Sequence, residues 1–106
     1  MSVTVKNLFA NLPTDVDGES FVTLFENSGA KIARIVSHSH SSAAGFWYDQ
    51  ADDEWVMMLR GSATLEFADG ETVELKPGDY LTIPRHVKHR IARTSEATIW
   101  LAVHLK

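Results

Sequence analysis

Two segments of the chain carry side chains that could bind a metal ion or a small polar ligand. The first, Glu54–Gly61, begins with a carboxylate, continues as an apolar run and ends at a glycine. The second begins at Gly78, ends its apolar run at Pro84 and places His89 five residues beyond that proline. Carboxylate oxygens and imidazole nitrogens both bind divalent cations. Because the chain has no cysteine, any metal site would use His, Glu, Asp, Gln, Tyr or water.

Two further polar residues precede Glu54 in the sequence. Tyr48 and Gln50 stand two residues apart in a segment that we predict to be extended, so their side chains face the same side. The phenol and the amide would add oxygen donors, although a neutral amide binds cations weakly and a phenol usually binds after losing its proton. We therefore treat both as candidate metal ligands, and Tyr48 also as a candidate substrate-binding residue.

The other histidines stand in less specific patterns. His38 and His40 form a His-x-His pair at a serine-rich strand end, which favours a solvated position at the rim. His104 shares one face of the last predicted strand with Thr98 and Trp100. If that face points inward, His104 could supply a third nitrogen or bind substrate; if it points outward, His104 is an exposed residue near the C-terminus.

Arg34 alternates with Ile32 and Val36 on a predicted strand. On the inner face its guanidinium could pair with Glu54 or bind a substrate carboxylate through two hydrogen bonds. On the outer face it would be an ordinary surface residue. The sequence leaves both placements open, and we treat Arg34 as a candidate substrate-binding residue.

Period-2 alternation predicts the elements that position these residues. From Phe21 onward, apolar and polar residues alternate between turn residues placed every 8–12 positions, which is typical of an all-β chain. The predicted strands cover residues 21–26, 30–38, 44–49, 54–60, 62–67, 72–76, 80–83, 88–93 and 97–105. Residues 1–20 form an irregular N-terminal segment, in which a short helix near 5–11 fits the pattern. Many short strands with tight turns predict a single-domain sandwich or barrel over residues 1–106.

Two turns can be assigned a geometry. Pro77 and Gly78 fit the second and third positions of a type II turn, because proline fixes φ and glycine accepts a positive φ. A three-residue loop at 68–70 would place Leu65 opposite Val73 and keep apolar side chains on one face of the hairpin. The last residue of that loop is a glycine, which suits the left-handed bulge position.

Charge and composition exclude several kinds of partner. The net charge is −4, and lysines and arginines are scattered rather than grouped in a basic stripe, which argues against nucleic acid and anionic membranes. The N-terminus has no basic segment followed by an apolar run, and no stretch approaches the roughly 20 apolar residues that span a bilayer. We therefore expect a soluble, cytoplasmic protein.

The two glycine-bounded segments resemble the two motifs of the cupin family over roughly residues 30–105. Gly78 and Pro84 match the second motif, with five residues between them, and His89 falls at its metal-ligand position. Glu54 and Gly61 match the first motif, with six residues between them.

The resemblance is incomplete at four positions. Tyr48 and Gln50 stand where the family has its pair of metal-binding histidines, and His86 and Arg93 replace a glycine and an asparagine of the second motif. Glycine and proline spacing specifies turns rather than chemistry. The fold expectation therefore survives these replacements, whereas the metal expectation is weaker.

The resemblance implies an antiparallel cupin-type β-barrel, also called a double-stranded β-helix or jelly roll, with Glu54, His89, Gln50 and Tyr48 in its interior. Such a set could hold zinc, manganese, iron or nickel and act on a small polar metabolite. The alternative is a metal-free barrel that binds a small ligand or regulates a partner without catalysis. The resemblance also implies a homodimer, and an outward-facing Trp47 beside Trp55 would suit its interface.

Overall fold

The computed structural model of the chain describes residues 2–13 and 18–106, and these residues form β-strands, turns and loops. The strands are β1 (Gly18–Glu26), β2 (Ala30–His38), β3 (Asp53–Arg60), β4 (Ala63–Phe67), β5 (Thr72–Leu75), β6 (Tyr80–Ile83), β7 (His89–Thr94) and β8 (Thr98–Leu105). The all-β class predicted from the alternation is confirmed. Across the described chain, no helix is long and apolar enough to cross a membrane.

The strands form two antiparallel sheets that enclose one apolar core. The larger sheet has the order β1-β2-β8-β3-β6, and the smaller has the order β5-β4-β7. Met58 and Trp100 of the larger sheet and Leu65 and Ile91 of the smaller sheet are buried in a common cluster. Together the sheets form the antiparallel barrel that the resemblance implied.

Both turn assignments are confirmed. The Asp79 N–H donates to the Lys76 carbonyl at 2.9 Å and Gly78 has a φ of 93°, as a type II turn requires. In the β4–β5 hairpin, Leu65 stands opposite Val73, as the three-residue loop predicted.

The predicted strand over residues 44–49 is wrong. Its one ladder contact within the described chain is an isolated bridge from Tyr48 to His89. Gly45 has a φ of 81°, and the Phe46 N–H donates to the carbonyl of residue 43 at 3.0 Å, so the chain turns here. The alternation of Phe46 and Tyr48 arises in a loop that folds over the barrel rather than in a strand.

The N-terminal segment contains a turn at residues 8–11 in place of the predicted helix. This turn is held by Arg34, whose Nη1 donates to the carbonyls of Leu8 and Ala10, both at 2.9 Å. Arg34 is buried and stands next to Ile35, which faces the core, so its side chain lies on the outer face of β2. The turn at residues 8–11 therefore packs against the outside of the larger sheet.

Candidate functional site

A cavity of about 70 Å³ lies between the two sheets. It is lined by Glu19, Phe21, Ile35, Tyr48, Gln50, Glu54, Val56, Leu65, Ile83, His89, Ile91, Trp100 and His104. This volume holds a few water molecules or a small ion with its waters. Two carboxylates and two imidazoles face the space, and none of the described lysines or arginines lines it.

Glu54 stands near the start of β3, where the register places it opposite His104 of β8. Its Oε1 lies 3.8 Å from His89 Nε2, and its Oε2 lies 3.4 Å from His104 Nε2. Only 8% of the residue is exposed. Burial, with a smaller contribution from the Glu19 charge, raises the pKa of Glu54 to about 7. The carboxyl is therefore poised between its charged and neutral forms near neutral pH.

His89 begins β7 and presents one defined nitrogen to the cavity. Its Nδ1 lies 2.9 Å from the Val87 carbonyl oxygen. Because a carbonyl only accepts, Nδ1 carries the proton and Nε2 keeps its lone pair directed at Glu54. Burial lowers the pKa of His89, partly opposed by the hydrogen bond to Val87, and so favours the neutral ring. A neutral imidazole with its far nitrogen bonded to a carbonyl is the form that binds metal ions.

His104 lines the same cavity from β8, so the inner-face alternative is the one that the structure adopts. Its Nε2 faces the second oxygen of Glu54. Burial lowers the pKa of His104, with Asp52 opposing this effect and Lys31 adding to it. Two neutral nitrogens therefore flank one carboxylate, although the family motif predicted only the nitrogen of His89.

Tyr48 reaches the cavity from the loop, and its position is set by paired backbone bonds to β7. Its N–H donates to the His89 carbonyl at 2.7 Å, and its ring stacks on the His89 ring with centroids 5.4 Å apart. The phenol donates to Glu19 Oε1 at 3.3 Å. Burial first, and then the charge of Glu19, raise the pKa of Tyr48 to about 12. The phenol therefore keeps its proton and is a hydrogen-bond donor rather than an anionic ligand.

Gln50 presents an unpaired oxygen to the same space. Its backbone carbonyl accepts from the His86 N–H at 2.8 Å, which fixes the loop against the β6–β7 turn. Its side-chain Oε1 is buried, and none of the described residues forms a hydrogen bond with it. A buried amide oxygen without a partner is costly, so a donor or a cation at this point would stabilise it.

Glu19 is the cavity residue that sequence reasoning missed. Besides Tyr48, it contacts Ser37, whose hydroxyl donates to Oε2 at 3.1 Å, and His40, whose Nε2 lies 3.3 Å from Oε1. The strand was predicted to begin at Phe21, and Gly18–Ser20 was assigned to the irregular segment. Extending the alternation by two residues would have placed Glu19 on the same face as Phe21.

Three other candidates lie outside the cavity. Arg34 is engaged by the N-terminal segment on the outer face, so its assignment to substrate binding is corrected. The His38 ring lies 2.9 Å from the Glu96 carbonyl and 3.1 Å from the Pro13 carbonyl. His86 is exposed and contacts Asp49 at 2.8 Å. Its φ of 62° is left-handed, which explains why the cupin motif has glycine at this position.

Glu54, His89 and His104 carry the kinds of donor atom that divalent cations bind. The two distances between the Glu54 oxygens and the histidine nitrogens also suit such an ion. Two ligands on a tetrahedral ion with bonds of about 2.1 Å lie about 3.4 Å apart, close to both His–Glu separations. Within residues 2–13 and 18–106, however, no three His, Asp or Glu side chains converge into a preformed metal centre. The side chains of Glu54, His89 and His104 would therefore have to move closer together to hold one ion.

Comparison with known proteins places the chain in a family. The chain matches the family model of the cupin domain over residues 29–104. No protein with a curated description matches it. Several solved structures do match it.

The first is a Ralstonia eutropha JMP134 protein described as a candidate mannose-6-phosphate isomerase. It is 45% identical, with a TM-score of 0.91 over 98% of this chain and 99% of that one. A cupin superfamily protein from Desulfitobacterium hafniense DCB-2 is 20% identical, with a TM-score of 0.75 over 89% and 83% of the two chains. A cupin domain from Bordetella pertussis Tohama I is 18% identical, with a TM-score of 0.66 over 89% and 99%. The last two establish the fold alone. The chain belongs to the cupin family.

Proposed function

We propose that this cupin binds a divalent cation at Glu54, His89 and His104 and uses it to bind and act on a small polar metabolite. One observation carries the proposal. The buried Glu54 carboxylate lies between two neutral imidazole nitrogens, in a cavity that the described lysines and arginines do not line. When the Glu54 carboxyl is ionised, none of the described lysines or arginines lines the cavity to compensate its negative charge.

Electrostatics favours a cation at this point. Glu19 and Glu54 both line the cavity, and the charge of Glu19 adds to burial in raising the pKa of Glu54. A bound cation would stabilise the charged form of both carboxylates, because unlike charges attract strongly in a low-dielectric interior. Zinc, manganese, iron and nickel all accept imidazole and carboxylate ligands.

The chain supplies two further groups around such an ion. The unpartnered Oε1 of Gln50 would serve as a neutral oxygen ligand. Tyr48 keeps its proton and donates it to Glu19, so its phenol oxygen would accept a hydrogen bond from the bound metabolite. A bound divalent cation supplies Lewis acidity, which polarises a carbonyl or hydroxyl oxygen. Because Glu54, His89 and His104 would be occupied as ligands, Glu19, acting through the Tyr48 hydroxyl, would be the group positioned to accept or return a proton.

Size and charge restrict the metabolite. Ligand sites for drug-sized molecules have volumes of roughly 300–1,000 Å³, whereas this cavity measures about 70 Å³. The Ralstonia eutropha protein is described as a candidate mannose-6-phosphate isomerase, but here the lining offers two carboxylates and no described cationic side chain to a phosphate. We therefore propose a compact, uncharged polar ligand for this chain.

One observation favours the metal-free alternative, in which the barrel binds a ligand without catalysis. With a pKa of about 7, Glu54 is partly protonated at neutral pH. A proton on Glu54 Oε1 would face the lone pair of His89 Nε2 at 3.8 Å, and an approach of the two groups to hydrogen-bond distance would complete a polar network without any ion.

Metal analysis of the purified protein distinguishes the two functions. The native chain and the His89→Ala, His104→Ala and Glu54→Gln variants would be loaded in turn with zinc, manganese, iron and nickel, dialysed and measured by plasma mass spectrometry. His86→Ala is the matched control, because its imidazole is exposed and lies outside the cavity. The proposal expects near-stoichiometric metal in the native chain and the control, and substoichiometric metal in the three cavity variants.

Two results would contradict the metal proposal. The native chain could retain no metal after loading with any of the four ions, or the cavity variants could retain as much metal as His86→Ala. The first result would support the metal-free alternative. The second would place the bound metal at another site.

A further inference from the structure

A groove of about 410 Å³ opens between β5 and β6 and is distinct from the cavity. β5 is an edge strand of the smaller sheet and β6 is an edge strand of the larger sheet, and within the described residues no backbone ladder joins them. None of the residues that line the groove also lines the cavity. The groove is therefore a second concave surface, formed where the two sheets separate.

The floor of the groove is apolar. Phe67, Val73 and Leu81 line it, and each stands two residues along its strand from a buried core residue. Because side chains two apart in a strand share a face, these three point between the sheets, yet they are only partly buried. Val87 extends the apolar surface from the β6–β7 turn and is 37% exposed. A ligand with an apolar body would remove this surface from water.

The walls of the groove are held by backbone hydrogen bonds. The Ala68 N–H donates to the Lys88 carbonyl at 3.1 Å, which joins the β4–β5 loop to the β6–β7 turn. Within the loop, the Phe67 N–H donates to the Glu71 carbonyl at 2.8 Å. Asp69 Oδ1 accepts from the Glu71 N–H at 2.9 Å. The groove is therefore preformed, as small-molecule sites usually are.

The charged residues of the groove favour a cationic ligand. Asp69 and Glu71 line it from the β4–β5 loop, whereas Lys88 is the one basic residue among its described lining residues. Within the described chain, no lysine, arginine or histidine forms an ion pair with either carboxylate. The groove therefore has one more carboxylate than it has ammonium groups, next to the aromatic ring of Phe67. Organic ammonium ions are attracted both by carboxylates and by the faces of aromatic rings.

The dimensions of the groove favour a small molecule over a protein. Its volume of about 410 Å³ lies within the roughly 300–1,000 Å³ that is typical of small-molecule sites. A stable protein interface takes about 20–30 residues from each partner, whereas nine residues line the groove. An extended peptide would add to a free strand edge, and β5 and β6 offer only four residues each.

We propose that this groove binds a small organic amine, with an apolar body on Phe67, Val73 and Leu81 and an ammonium group near Glu71. The centroid of the Phe67 ring lies 6.2 Å from that of the His89 ring, so the ligand would lie one aromatic ring away from the cavity. Binding in the groove does not depend on whether the cavity holds a metal ion, because the two share no lining residue.

Three probes with the same phenyl ring and different end groups test the charge preference. They are phenethylamine, phenethyl alcohol and hydrocinnamate, and each would be titrated into isotope-labelled native chain at low ionic strength while backbone amide shifts are followed by NMR. We expect the amine to bind with a dissociation constant of about 1–10 mM, as befits so small a ligand. It should bind about fivefold or more tightly than the carboxylate, with the alcohol between them. The largest shifts should fall at residues 67–73, 81–82 and 87–88.

Two variants separate the contributions of charge and apolar surface. Glu71→Gln should weaken binding of the amine about threefold or more and leave binding of the alcohol unchanged, because only the charged probe loses an attraction. Val87→Ala should weaken binding of all three probes, because it removes apolar contact surface. Glu74→Gln is the matched control, since Glu74 is an exposed carboxylate on the same hairpin that lies outside the groove. Glu71 and Val87 are both exposed, so neither replacement threatens the fold.

Several results would overturn the proposal. The amine could cause no shifts even well above the expected dissociation constant, or its shifts could be centred on Glu54 and His104 of the cavity. Hydrocinnamate could bind as tightly as phenethylamine, which would remove the preference for a cation. Finally, Glu71→Gln and Glu74→Gln could have equal effects, which would show that the ammonium group does not lie near Glu71.

Discussion

The chemistry of the cavity depends on single residues whose ionisation is set by burial. Glu54 has its pKa raised mainly because 92% of its surface is removed from water, and His89 and His104 have theirs lowered for the same reason. All three shifts favour neutral side chains. In the absence of an ion, the site therefore holds less charge than its sequence suggests.

The raised pKa of Glu54 predicts a measurable dependence of stability on pH in chelated protein. Between its ordinary pKa of 4.5 and about 7, the folded chain holds a proton that the unfolded chain has released. Stability from Glu54 therefore falls as pH rises through this window and levels off above it. The loss amounts to about 3 kcal/mol. Glu54→Gln removes this loss. The free energy of unfolding of the variant, relative to that of the native chain, should therefore be larger at about pH 8 than at about pH 5.

Urea unfolding of both proteins at the two pH values measures this difference. His89 and His104, with lowered pKa values, contribute the opposite trend just below their ordinary 6.5, but they do so in both proteins. The other facing groups, Glu19 and Tyr48, are also shared. Glu74→Gln, at an exposed position on β5, is the control. If the difference in the free energy of unfolding between Glu54→Gln and the native chain is the same at both pH values, the prediction is refuted.

The candidate site could be predicted from sequence only where a motif fixes the chain locally. Glu54 and His89 follow from the spacing of Gly61, Gly78 and Pro84, because these residues specify turns. The side of β8 that His104 faces could not be derived, since it depends on the register with β3. Glu19 was missed because the alternation was not extended before Phe21, and the pairing of Glu19 with Ser37 is what shows that the strand continues there.

At the scale of elements, turns were more predictable than loops. Pro77–Gly78 and the loop at 68–70 have backbone requirements that few residues meet, so the sequence identifies them. The loop at 44–49 has the sequence pattern of a strand, but Phe46 and Tyr48 alternate in it for different reasons. Phe46 is exposed, whereas Tyr48 is held by its bridge to His89. Alternation alone does not reveal which strand edge is available for pairing.

At this scale, the clearest prediction concerns the effect of a substitution in the β3–β4 turn on stability. Gly61 has a φ of 84°, and a Cβ there would come within 3.0 Å of the Ala97 backbone oxygen and the side chains of Ser95 and Thr98. Gly61→Ala should therefore incur both left-handed strain and a clash with backbone, destabilising the fold by roughly 3 kcal/mol or more. The melting temperature and urea midpoint of the variant measure the loss.

Gly70→Ala separates the two causes. Gly70 has a φ of 95°, but a Cβ there would meet nothing within 4 Å, so only the strain applies. We expect a loss of about 1–2 kcal/mol for this variant. Equal losses for the two variants would show that the contact between the β3–β4 and β7–β8 turns does not constrain Gly61.

At the scale of the whole molecule, the cavity is assembled from distant parts of the chain. Glu19, Tyr48, Glu54, His89 and His104 come from four strands and one loop, and the sheets bring them together. The family motifs predict this convergence for Tyr48, Glu54 and His89, but not for Glu19 or His104. They do not predict what covers the outside of the larger sheet, and Arg34 was misassigned for that reason. The face of β2 that carries Arg34 follows only from the structure, in which the neighbouring Ile35 points into the core.

We therefore predict that replacing Arg34 affects the N-terminal segment and has no effect on the cavity. Charge-assisted hydrogen bonds contribute roughly 1.5–3 kcal/mol each, and Arg34 makes two of them to Leu8 and Ala10. Arg34→Met keeps the apolar stem and removes both, so amide exchange at residues 8–12 should accelerate about tenfold or more. Arg93→Met, which removes an exposed guanidinium bonded to Ser62, is the control. Unchanged exchange at residues 8–12, or a loss of metal equal to that of His89→Ala, would contradict the placement of Arg34 outside the cavity.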